Sequence, residues 1–300
     1  MTIVIALNLP DGAVLGADST VSLPDELTQA HTGFHYGKAE KVFAIRGLPV
    51  CIAHYGLGIW FNRSIGSLIS SFESQPDFET FRTANMADRL ERLRTYLSAQ
   101  YDETIGQPAS ESGYDVDQLR GLKHMSTGFV VAGYSPGAFL PEVWHFKIPK
   151  GTDDDSAELR MGQGDFGREC WALCQPIHRL LNGYDDEVRP RMIESIETLR
   201  APNPTVQWRK VYNPETVVTS GLRAFHLDAD YRVMPLEDGV DFARFLLETT
   251  TDWYHFIRPP EGKASVRVEP PYRLAIVNHR ERESSVMVLP HRREVSNGTV

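Results

Sequence analysis

The chain has 300 residues, 41% of them hydrophobic, with a formal net charge of −9 and a pI near 5.6. That acidic balance argues against nucleic acid or an anionic membrane as partner, and the basic residues form no run: Arg89, Arg92 and Arg94 alternate with Asp88 and Glu91. No apolar stretch reaches the roughly 18 residues needed to span a bilayer. The odd cysteine count, with no basic-then-apolar leader before Thr2, points to a reducing cytoplasm, where the sequons at Asn62 and Asn297 carry no weight.

The predicted elements begin with a strand over residues 2–8, rich in β-branched side chains. Pro10-Asp11-Gly12 is a turn, because Pro presets φ and Gly permits positive φ. Residues 13–18 form the second strand, 41–45 a third and 50–54 a fourth, with Gly47-Leu48-Pro49 turning between the last two. A helix is expected over 59–72 and another over about 78–99, capped by Asp77. Residues 102–124 are polar and irregular. Strands resume at 127–133 and 142–148 around a Ser135-Pro136-Gly137 turn. Residues 166–181 read as a helix kinked at Pro176, and two or three more helices fill 186–256 around a Pro-rich break at 202–214. The last helix is placed at about 240–255, and strands near 273–278 and 284–289 close the chain.

The chemistry is concentrated at the start. Removal of Met1 makes Thr2 the N-terminus, which puts a hydroxyl nucleophile and an amine base on one residue. An α-amine titrates near 7.7–8 in peptides, so it accepts a proton at neutral pH. The first hairpin brings Thr2 close to Asp18. Lys41, if ionised beside the Thr2 hydroxyl, favours the alkoxide, and Asp18 would orient that lysine and keep it charged. The alternative for Asp18 and Lys41 is a solvated pair at strand ends.

Thr2-Ile3-Val4, the Pro-Asp-Gly turn, Gly16-Ala17-Asp18-Ser19 and Gly37…Lys41-Val42-Phe43 resemble the start of proteasome β-subunits and their bacterial homologues. The resemblance covers about the first sixty residues. It implies an N-terminal-nucleophile (Ntn) hydrolase of α+β class, a four-layer αββα sandwich of two antiparallel sheets covered by helices. It implies Thr2, Asp18 and Lys41 as catalytic residues. The oxyanion-binding backbone N–H falls on His54, and the supporting serine position on Asp165. Substrate contacts fall on Val21, Ser22, Ala39, Ile52 and Gly56. The implied activity is that of a threonine peptidase in a homo-oligomer, acting on peptides or unfolded protein, with an ATP-dependent unfoldase as candidate partner and no cofactor or metal. The alternatives are an Ntn amidase or acylase and an inactive scaffold subunit. Without linker or repeat, the chain reads as one domain over 1–300 with insertions near 102–124 and 183–235.

Two other motifs compete. Gly133-Tyr134-Ser135-Pro136-Gly137 matches the G-x-S-x-G nucleophile elbow, but Pro136 lacks the N–H that the elbow needs, so a hairpin turn is the better reading. Cys170, Cys174 and His178 recur every four residues, as on one helix face. Their spacing is no standard zinc motif, and buried cysteines on a helix are commoner. His31 and His35 share the spacing in a loop-like region.

Overall fold

In a computed structural model, the described residues are 2–24, 31–36, 38–60, 63–106, 125–149, 157–184, 188–200, 213–227, 229–256, 268–278 and 283–290. The chain divides into two compact units, one formed by Met1–Ala172 and Tyr231–Val300, the other by Leu173–Asp230.

The first unit holds fourteen described strands: β1 (Ile3–Leu9), β2 (Gly12–Ala17), β3 (Val21–Pro24), β4 (His31–Tyr36), β5 (Val42–Ala44), β6 (Val50–Gly56), β7 (Ile59–Trp60), β8 (Arg63–Ser64), β9 (Thr127–Gly133), β10 (Glu142–Ile148), β11 (Glu158–Met161), β12 (Gly167–Ala172), β13 (Tyr272–Asn278) and β14 (Glu283–Leu289). Its helices are α1 (Ile65–Glu73), α2 (Phe78–Thr83) and α3 (Met86–Tyr101), the last running into a π turn over Asp102–Gly106. The second unit holds α4 (Gln175–Asn182), α5 (Val188–Arg200) and α6 (Pro214–Arg223), with α5 packed on α6. The chain then returns to the first unit as α7 (Leu236–Phe256).

Two five-stranded sheets carry the first unit, in the orders β12-β1-β2-β13-β14 and β11-β10-β9-β6-β5, and their pairings are antiparallel. They pack face to face through a layer in which small side chains (Val4, Ala6, Ala13, Ala17 and Ala275 from one sheet, Cys51, Ala53, Val130 and Ala132 from the other) are interleaved with the larger Leu15, Met161 and Trp171. The opposite face of the first sheet meets α7, and that of the second meets α1–α3 through Ile52, Phe129, Val131 and Phe146. This is the expected α+β, αββα arrangement. β1 is therefore buried along its whole length on both faces, which is why it reads as a near-continuous apolar run rather than an alternating one. Gly16 lets α7 approach: a Cβ there would lie 2.7 Å from a Leu274 methyl and 3.2 Å from a Leu247 methyl.

Several boundaries differ from the sequence reading, each for a local reason. Ser64 accepts the Ser67 N–H as N-cap, so α1 begins at Ile65, and Ile59–Trp60 pairs with Arg63–Ser64 as two short strands instead of forming its first turn. Ala84 is extended and Asn85 accepts the Asp88 N–H, which splits the single helix predicted over 78–99 into α2 and α3. Residues 167–172 are not helical: they form β12, paired with β1 along Ile3–Asn8. Cys170 thus lies on a strand, so the three-residue helix face drawn through it does not exist. Pro176 sits in the first turn of α4, where its missing N–H costs nothing, and makes no kink. His31 and His35 lie on β4, whose side chains are outside the described residues, as are 107–124 and 150–156. Residues 133–137 form the end of β9 and a turn closed by Ala138 N–H to Ser135 C=O, as the hairpin reading required.

Candidate active site

Thr2 immediately precedes β1, Asp18 immediately follows β2, and Lys41 immediately precedes β5 in the other sheet. The β1–β2 register pairs Val4 with Ala17, so the hairpin carries Thr2 and Asp18 to one end of the first sheet. Packing of the sheets then brings Lys41 to the same place. Its Nζ donates to Thr2 Oγ1 at 2.8 Å and to Asp18 Oδ1 at 2.9 Å. Asp18 Oδ1 also accepts the Ile3 N–H at 3.1 Å, and Oδ2 accepts the Thr20 N–H at 3.0 Å. The Lys41 and Asp18 side chains are 2% and 0% exposed. They are a buried pair, not a solvated one.

Burial lowers the Lys41 pKa below the ordinary amine range, and the attraction of Asp18 offsets this only in part. The expectation that Asp18 keeps the lysine firmly charged is thus half right. The ammonium is held, but in surroundings that ease its release of a proton.

Ser19 and Thr20, which the sequence reading passed over, anchor the wall behind the site. The Ser19 hydroxyl donates to the Pro271 carbonyl, Ser19 N–H to the Glu269 carbonyl at 3.3 Å, and Glu269 N–H to Thr20 Oγ1 at 3.0 Å. Ala39 N–H donates to Ser19 C=O at 2.9 Å. The signal available was the run of three short polar residues at the end of an otherwise apolar hairpin.

Three assignments need correction. The His54 N–H donates to Lys41 C=O at 3.0 Å, so it belongs to the β5–β6 ladder and is not offered to a substrate. N–H groups alternate between the two edges of a strand, so Gly56 N–H follows on the same edge of β6, beyond the first residue of β5. Gly56 has φ +88°, and a Cβ there would strike the Ser126 carbonyl. His54 is not a base either: burial, and then the Lys41 charge, hold its pKa near 3. Asp165 is the second correction. Its backbone carbonyl accepts from Asn8 Nδ2 at 3.1 Å, and its carboxylate closes its own turn on Gly162 N–H at 3.0 Å. Asn8 is six residues along β1 from Thr2, or about 20 Å at the rise of a strand. Asp165 therefore supports the far end of β1. Ile52 is the third: its side chain is fully buried in the cluster under α1–α3, not presented to a substrate.

Of the remaining substrate positions, Ala39 is half-buried and Gly56 exposed. Val21 and Ser22 lie on β3, paired with Tyr36 and His35, and their side chains are outside the described residues.

No protein-family model matches the sequence, and no curated protein does. Among solved structures, the fold is similar to that of an Anbu (Gly-1) mutant from Hyphomicrobium sp. strain MC1, at 13% sequence identity and a TM-score of 0.53. The match covers 99% of this chain and 92% of that one, and at this identity it is a likeness of fold. No helix among the described residues is long and apolar enough to cross a membrane. The fold is an α+β sandwich similar to that of this Anbu mutant over almost the whole length of both chains.

Proposed function

We propose that the chain is a threonine-type N-terminal-nucleophile hydrolase acting on peptide bonds once Met1 is removed. The observation that carries this reading is Lys41 Nζ, buried and hydrogen-bonded to both Thr2 Oγ1 and Asp18 Oδ1. A lysine held this way serves a hydroxyl that must become an alkoxide. The freed Thr2 amine takes the Oγ1 proton, Oγ1 attacks the substrate carbonyl carbon, and the Lys41 ammonium offsets the charge that develops. Gly56 N–H is the donor assigned to the carbonyl oxygen. The amine leaving group departs with the proton, leaving an ester on Thr2 that water hydrolyses by the same route. Peptide or unfolded polypeptide as substrate, action within a cytoplasmic homo-oligomer and supply by an ATP-dependent unfoldase are part of this proposal. Substrate backbone would add as a strand beside Val21 and Ser22.

The test has two parts. Intact mass should show loss of Met1, and a peptide epoxyketone, which needs both a free amine and the hydroxyl of one residue, should add covalently to Thr2. Thr2→Ala should abolish both labelling and peptide turnover. Small amides assayed in parallel distinguish an amidase from a peptidase. A chain that retains Met1 and still hydrolyses peptides would refute the mechanism.

A further inference from the structure

His54 is buried beside the candidate nucleophile system, yet neither the nucleophile nor its amine base requires it. Two of its hydrogen bonds reach the Lys41 segment. Its backbone N–H donates to the carbonyl of Lys41 at 3.0 Å, and its ring Nε2 lies 3.4 Å from the carbonyl of Glu40. These carbonyls flank the Cα of Lys41 on its two sides. One residue therefore restrains both peptide planes that set the φ and ψ of Lys41, and with them the direction in which its side chain leaves the backbone.

The ring is itself held. It stacks on Phe43 at 6.0 Å between centroids and 14° between planes, and leans on Phe129 at 6.4 Å. A carbonyl partner fixes the tautomer, because only a protonated Nε2 can donate to it, and Nδ1 then carries the lone pair. Nδ1 is buried and has no hydrogen-bond partner among the described residues. An apolar side chain would avoid that cost, which is of the order of 1–3 kcal/mol for an unsatisfied buried group. A residue kept at such a cost, with its working nitrogen on the backbone of Lys41, has a role that a hydrocarbon would not fill.

We propose that His54 is the positioning residue of Lys41: it holds the Glu40–Lys41 backbone so that Nζ meets Thr2 Oγ1 and Asp18 Oδ1 together. This deepens the hydrolase reading and rests on it for its catalytic consequence. His54 acts as a neutral donor, since its pKa near 3 leaves it uncharged at working pH. Among the described residues, the charged or titratable groups around Lys41 include Asp18 at the end of β2, with Tyr272 of β13 feeling its charge, Glu40 beside it in sequence, His54 on β6, Arg273 of β13, which pairs with Glu40 at 3.2 Å, and the amine of Thr2 once Met1 is removed. Losing the His54 ring donor alters none of these charges, so its effect reports on position.

The experiment compares His54→Phe, which keeps an aromatic ring on Phe43 but loses the donor, with His54→Gln, whose amide can still reach the Glu40 carbonyl. The backbone bond survives in both. The inactivation rate constant of the epoxyketone should fall about tenfold or more in His54→Phe, with the concentration for half-maximal inactivation unchanged, because sub-ångström displacement of a catalytic group is costly. His54→Gln should recover most of that loss. Should His54→Phe fail to fold, His54→Leu takes its place. Parent-like inactivation in a folded donor-less variant, or no recovery in His54→Gln, overturns the proposal. A second readout does not depend on catalysis: ¹⁵N NMR titration of the Lys41 ammonium in a Thr2→Ala background. The Lys41 midpoint should move in His54→Phe and return in His54→Gln. An unmoved midpoint rejects the positioning role, whereas a parent unreactive to epoxyketone with a midpoint that moves rejects the hydrolase reading alone.

Discussion

Replacing Lys41 with methionine separates the structural role of the buried pair from its chemical one. Methionine nearly conserves the volume, so the change removes an ammonium rather than opening a cavity. Asp18 is then left fully buried with two backbone donors, Ile3 N–H and Thr20 N–H, in place of three partners. Breaking a buried ion pair by removing one partner costs roughly 3–5 kcal/mol, and the two surviving hydrogen bonds put this case at the lower end, about 3 kcal/mol. For a chain of 300 residues that lowers the thermal midpoint by roughly 5 °C. Urea denaturation of the parent, Lys41→Met, Asp18→Asn and the double variant closes the cycle. The double variant strands no charge, so it should be more stable than Lys41→Met and lie about 1–2 kcal/mol below the parent, mainly through the lost Thr20 bond. Epoxyketone labelling should fall by roughly three orders of magnitude in every variant that lacks the ammonium. If Lys41→Met unfolds within a kcal/mol of the parent, the pair is not buried as described and the reasoning fails.

Lys41 has a folded-state pKa below its unfolded value, so between the two the unfolded chain binds more protons and stability rises with pH. The stability of the parent relative to Lys41→Met should therefore increase as pH is raised toward the ordinary lysine value of 10.5, read from urea midpoints; a flat difference would contradict the direction of the shift. Labelling of Thr2 should rise as its amine deprotonates and decline again before the usual lysine range, giving a bell that Lys41→Met lacks. Asp165→Ala should change Thr2 labelling less than about twofold and stability by under about 1 kcal/mol, since an exposed turn about 20 Å away is all it disturbs. Gly16→Ala, whose methyl would meet Leu274 and Leu247, should cost about 1–3 kcal/mol in urea and spare labelling of the folded protein.

The parts of this molecule that were legible in its sequence are those fixed locally. Pro10-Asp11-Gly12 specifies a tight connection, and a tight connection fixes which end of β2 meets Thr2, so the Thr2–Asp18 neighbourhood follows from one turn. What was not legible depends on register between strands far apart in sequence. Gly167–Ala172 alternates polar and apolar residues weakly enough to pass for a helix, and becomes a strand because β1 offers it an edge. Once β12 runs antiparallel to β1, the turn before it, with Asp165, must lie at the Asn8 end of β1 rather than at Thr2. His54 shows the same limit at finer grain. Whether a backbone N–H faces a substrate or a neighbouring strand alternates with every residue, and a slip of one reverses it. The sequence places His54 in the right strand and leaves open which edge its N–H serves.

The site also explains how the fold tolerates a buried charge at its edge. Thr2 and Asp18 belong to the first sheet and Lys41 to the second, so the two hydrogen bonds of Nζ span the gap between sheets. Directly beside the polar groups the facing side chains are small, Ala17 before Asp18 and Ala53 before His54, while the larger Trp171 and Tyr55 also pack into this layer. With larger side chains there, a lysine rooted in one sheet would reach the hydroxyl or the carboxylate of the other less readily than both. The polar cluster and the alanine layer thus depend on each other. Close packing brings three strand ends within hydrogen-bond range, and the resulting Lys41–Asp18 pair ties the two sheets together at this end. The Thr2–Asp18–Lys41 geometry is therefore a property of sheet packing. Substitutions in the alanine layer should couple to Thr2 reactivity more strongly than their distance from the hydroxyl suggests, whereas those on the α7 side of β1 and β2, such as Gly16, act on stability alone.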